Sequence, residues 1–126
     1  MTVSSDQQES TPVVVTLSDC SKEDADTVFR VLAQSFTSDR ADDDAPQYTS
    51  HPHTTVWTST FEVGPTHAPA APVQLTAPCV VGAQGTYWGV DRLGETLAAA
   101  FVVQVEGMAA GDQEKDVQFR LESGIR

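Results

Sequence analysis

The chain has 126 residues, with 18 acidic side chains against 7 basic ones and a formal charge of −11 at pH 7. That balance repels phosphate backbones and anionic lipid surfaces, which argues against nucleic acid and membrane as partners. One hydrophobic core is expected at this length, built mainly from Val, Leu and Ala because only 7% of the residues are aromatic.

Met1 to Ser10 reads MTVSSDQQES, with neither a basic start nor an apolar stretch. Residues 1–11 therefore read as a disordered polar tail, residues 12–126 as a single domain, and the protein as cytoplasmic. No apolar run approaches the length of a membrane span. Cys20 and Cys79 form no C-x-x-C pair. One disulfide is arithmetically possible between them, but reduced thiols are the expectation in that compartment.

Pro12 introduces Val13-Val14-Val15-Thr16-Leu17, a short apolar run that suits a central strand with Val13, Val15 and Leu17 on one face. Ser21 is a good helix N-cap, with Glu23 and Asp24 in the first turn where acids complement the helix dipole. Ala25, Val28, Phe29, Leu32 and Phe36 follow at helical spacing. Thr37 to His53 lacks periodicity, carries Asp42-Asp43-Asp44 and two prolines, and reads as a long loop. Thr54 to Val63 reads as a strand with Trp57, Ser59, Phe61 and Val63 on one face. After a proline-rich connection over 64–72, Val73 to Val81 reads as its hairpin partner, with Pro78 at an edge or bulge.

Gly82-Ala83-Gln84-Gly85 is expected to break that strand, and Thr86 to cap a second helix striped by Val90, Leu93, Leu97 and Phe101. Phe101 to Glu106 is β-branched enough to be a strand, but the helical spacing runs on from Leu97 without a breaker, which favours continued helix. Gly107 to Lys115 reads as a loop. Val117, Phe119 and Leu121 then alternate with polar residues as a half-buried strand.

This order predicts an α+β fold: a ferredoxin-like βαββαβ two-layer sandwich with a mainly antiparallel sheet and two helices on one face. Thr58, Thr60 and Glu62, with Gln118, Arg120 and Glu122, would make the other face polar.

Candidate chemistry is sparse. His51 and His53, near the Asp42 to Asp44 run, are plausible zinc or nickel ligands, although Pro52 holds them on an extended segment and no third ligand follows at a familiar spacing. The acidic run lacks the alternation and distal Glu of a calcium loop. Cys20 precedes a helix start, where backbone N–H groups lower a thiol pKa. Trp57 and Trp88 could line a ligand cleft with it. Gly82 to Thr86 has no phosphate-loop lysine. No cofactor is implied, and no nucleophile–base or carboxylate pair marks an enzyme.

The expectation is a small acidic, non-enzymatic module that binds a protein partner or itself as a dimer, with Asp42, Asp43 and Asp44 as the first partner contact. The alternatives are a small-molecule binder or small enzyme using Trp57, Trp88, Cys20 and His53 in a pocket between helices and sheet, and a metal binder using His51 and His53.

Overall fold

The computed structural model describes residues 10–38, 47–51, 54–64 and 70–125. In chain order the elements are β1 (Thr11–Ser18), α1 (Lys22–Ser35), β2 (Thr37–Ser38), β3 (Gln47–His51), β4 (Thr54–Val63), β5 (Cys79–Thr86), α2 (Tyr87–Ala100), β6 (Phe101–Ala110) and β7 (Glu114–Ser123). All the strands join one antiparallel sheet in the order β2-β4-β1-β5-β7-β6, with β3 alongside β2 on the outer edge of β4.

Period-two alternation builds the sheet. Val13, Val15 and Leu17 of β1, Val81 and Ala83 of β5, and Val117, Phe119 and Leu121 of β7 are buried under the helices. Trp57, Ser59, Phe61 and Val63 of β4 share that face and are buried as expected. The opposite face is polar and more open, with Thr58, Gln84, Gln118 and Glu122 exposed. Each helix begins at the residue that the sequence marks. Asp24 N–H donates to Ser21 Oγ at 3.1 Å, and Gly89 N–H donates to Thr86 Oγ at 3.3 Å. The stripes Ala25/Val28/Phe29/Leu32 and Val90/Leu93/Leu97 all pack into one core.

The α+β class holds, but the ferredoxin-like arrangement does not. Counting the five long strands, the order is β-α-β-β-α-β-β, because α2 is followed by two strands. The expected hairpin of β4 with β5 does not form either. β1 lies between them and pairs antiparallel with both, Val15 facing Ser59 on one side and Ala83 on the other.

Four local expectations change with it. The 73–81 segment is not a strand before Cys79, because its backbone donors are taken elsewhere: Val73 N–H bonds Ala100 O, Leu75 N–H bonds Ser123 Oγ, and the Thr76 and Ala77 N–H groups bond the Asp24 carboxylate. Gly82 to Gly85 is strand interior, paired with β1 and β7. A Cβ at Gly85 would lie 2.8 Å from Pro12 O, so the small residue admits close approach of β1. α2 stops at Ala100, and Phe101 opens a strand whose ladder with β7 outweighs continued helical spacing. The expected 107–115 loop shrinks to a tight turn closed by Gly111 N–H on Glu114 O at 2.8 Å.

Within the expected 37–53 loop, residues 37–38 and 47–51 add short strands to β4. Here the edge of β4 supplies the partner that the local sequence does not announce. Residues 1–9 of the expected tail lie outside the described residues, and Thr11 already belongs to β1. No helix among the described residues is long and apolar enough to cross a membrane.

Candidate functional site

The candidate residues fall at different places in this frame. Trp57 is a core residue, 6% exposed, on the β4 end that faces Leu17. Cys20 is half-buried just beyond the end of β1, packed against the same core. Trp88 sits in the first turn of α2, which follows the far end of β5, and is 42% exposed. β5 runs from Cys79 to Thr86, so the length of that strand separates Trp88 from the Cys20 end of the sheet. The structure does not bring Trp88 together with Trp57 and Cys20.

His51 ends β3, its backbone in register with Thr54. His53 and the Asp42 to Asp44 run lie outside the described residues. Among the described residues no group of three or more His, Cys, Asp or Glu is placed to hold a metal ion.

The space between sheet and helices is filled by Leu17, Leu32, Phe61, Leu93, Leu97 and Leu121, each fully buried. Concave surface occurs instead on the open sheet face, where Thr16, Ser18, Gly82, Gln84 and Gln118 border a shallow depression of about 230 Å³, and beside the first turns of α1, where Glu23, Asp24, Thr27, Arg30 and Thr76 border one of about 380 Å³.

Two features stand out that the sequence reading did not single out. The first is β6. It ends the sheet, so its outer backbone edge pairs with no described strand. Val102, Val105 and Met108 are 51%, 64% and 63% exposed, and Glu106 is the only charge in the ten residues. A bulge between Val105 and Gly107 interrupts the β6–β7 register, leaving Phe101 to Val105 as an uninterrupted, uncharged stretch. The opposite edge is different, because β2 and β3 cover much of β4. A long, apolar, uncovered edge is a template for adding another strand. The signal was present as the β-branched cluster at 102–105, but an assignment to helix hides an edge.

The second is the end of β5 nearest Cys20. Asp24, 2% exposed, accepts from Thr76 N–H at 3.1 Å, Thr76 Oγ at 2.7 Å and Ala77 N–H at 3.2 Å. Its carboxylate fastens the segment before β5 to the first turn of α1. Cys79, fully buried, begins the strand directly after this clasp. A hydrogen bond from Cys79 lowers the Cys20 pKa, against the opposing effects of burial and of Asp24 and Asp19. The same hydrogen bond, then burial and the neighbouring charges, push the Cys79 thiol up.

The fold is a strand-rich α+β layer pair in which, among the described residues, no helix covers the second sheet face and no strand pairs with the outer edge of β6. Comparison with protein-family models, curated proteins and solved structures returns no significant match in any of the three.

Proposed function

We propose that this protein is a non-enzymatic binding module that self-associates, pairing β6 of one copy with β6 of a second. The observation that carries the reading is the ten-residue edge that no described strand pairs with, with Val102, Val105 and Met108 exposed along it. An antiparallel strand edge is self-complementary under a two-fold rotation, since each outward N–H then meets an outward C=O. The absence of charge from Phe101 to Val105 removes the repulsion that usually protects an edge. The bulge beyond Val105 limits the ladder, so the buried area is small, on the order of 1,000 Å².

Charge separates a second copy from a basic partner. Two chains of −11 repel, so salt strengthens their association, whereas salt weakens binding of a basic protein to the acidic surface. Sedimentation velocity of the full chain, run over a concentration series at low and high salt, is the test. The expected result is a concentration-dependent dimer that gains with salt and is lost in Val102→Lys and Val105→Lys. A monomer at every concentration, or a dimer indifferent to both substitutions, refutes the reading.

A further inference from the structure

The two cysteines come together from distant parts of the chain. β1 ends at Ser18, in register with Val80, so the next residues of each strand run past one another: Asp19 and Cys20 beside Cys79. Asp19 takes a left-handed φ of 58°, a conformation that Asp tolerates better than most residues, and it turns the chain between β1 and the Ser21 cap. Cys20 is thereby laid against the core that contains Cys79. Both thiols are free. The Cys79 S–H donates to the Ala77 carbonyl oxygen at 3.9 Å.

We infer that Cys20 and Cys79 are a redox-modification site, forming a reversible disulfide with a low-molecular-weight disulfide such as oxidised glutathione as the oxidant. The half-buried Cys20 is the attacking thiol and the fully buried Cys79 the resolving one. Cys20 loses its proton to solvent, and its thiolate attacks one sulfur of the oxidant. A mixed disulfide forms at Cys20 and one small thiolate leaves. Cys79 then gives up its proton and attacks Cys20 Sγ, and the second small thiol leaves. Two protein thiols are oxidised, and one small disulfide is reduced to two thiols. Excess small thiol runs the sequence backwards.

The direction of the Cys20 shift supports this division, because the more acidic and more accessible thiol reacts first. The inference is independent of the β6 edge, which it does not use.

The test is intact mass and peptide mapping of the native full chain after incubation with oxidised glutathione, with circular dichroism confirming that the fold persists. The expected product has lost two hydrogens, retains no glutathione, links Cys20 to Cys79, and shows no free thiol where there had been two. A stable glutathione adduct on Cys20, an intermolecular disulfide or an unmodified chain overturns the proposal. Cys79→Ser is expected to trap the adduct at Cys20, and Cys20→Ser to leave Cys79 unmodified. Modification of Cys79 in Cys20→Ser at the wild-type rate overturns the assigned roles. Alkylation of Cys20 is expected to reach half its maximal rate at a lower pH in the folded chain than in the urea-unfolded chain; an equal or higher midpoint in the folded chain contradicts its role as attacker.

Discussion

Replacing Asp24 tests the clasp that positions both the β5 entry and the thiol pair. Its carboxylate accepts three hydrogen bonds, two from backbone N–H groups and one from the Thr76 hydroxyl. A hydrogen bond to a charged group contributes about 1.5–3 kcal/mol, and a buried donor left unpaired costs a further 1–3 kcal/mol. Those figures do not simply add here. Thr76 and Ala77 are exposed, so water replaces part of what is lost, whereas Leu75 beside them is buried and keeps water from the rest.

The expected net loss for Asp24→Ala is therefore about 2–3 kcal/mol, including a few tenths from the acid at the helix start. For a chain of this size that lowers Tm by about 10 °C. Asp24→Asn keeps one acceptor oxygen but turns an amide donor toward a backbone donor, so about half the loss is expected. Urea unfolding followed by circular dichroism measures both.

The asparagine variant has a second readout. Asp24 holds both thiol pKa values up through its charge, so neutralising it lowers them and speeds alkylation of Cys20 at neutral pH. An Asp24→Ala chain within about 0.5 kcal/mol of the parent, the spread of ordinary surface substitutions, would refute the clasp. Slower Cys20 alkylation in Asp24→Asn would refute the electrostatic assignment.

Thr96 in α2 is 2% exposed, and its hydroxyl finds no hydrogen-bond partner among the described residues. Thr96→Val keeps the shape and removes the stranded group, so unfolding in urea should show a gain of about 1 kcal/mol; a loss would mean that the hydroxyl is satisfied. Gly124 packs so closely on Ala100 O that a Cβ would overlap it, while its N–H donates to Val73 O at 2.9 Å. Gly124→Ala is expected to cost about 2 kcal/mol by forcing these backbones apart, and an unchanged midpoint would rule out that contact. For the edge, Val105→Lys should raise the dimer dissociation constant at least about tenfold while shifting monomer stability by no more than about 0.5 kcal/mol. Equal loss of both would show that Val105 serves the fold instead.

Much of this molecule is legible in local chemistry. Ser21 and Thr86 mark both helix starts, and the apolar spacing from Ala25 to Leu32 and from Val90 to Leu97 marks the buried faces. The alternation from Val117 to Leu121 and from Trp57 to Val63 gives two strands and their inward sides. Periodicity and capping are properties of a few consecutive residues, so a linear reading reaches them. The limits of that reading lie where a partner decides. The β-branched cluster after Phe101 competes locally with helical spacing that runs on from Leu97, and pairing with β7 decides between them by drawing the next ten residues into a strand. Nothing local ends the coil at Pro78 and not at Pro72; Asp24, Ser123 and Ala100 occupy the backbone groups that an earlier strand would need.

The candidate sites divide in the same way. Cys20 was legible as a thiol before a helix start, and Trp57 as an inward residue. Their separation from Trp88 needed the direction of β5, and the meeting of Cys20 with Cys79 needed the β1–β5 register. The exposed edge at β6 required knowing which strand comes last. Sequence alone determined the α+β class, both helix starts and the inward faces of β1, β4 and β7, because those follow from side-chain order along the chain. Tertiary structure alone decided the strand order, the extent of β6 and the placing of Cys20 against the core that holds Cys79. Hydrogen-bond partners and buried neighbours across a sheet come from residues far apart in sequence, and local periodicity carries no record of which strand lies beside which.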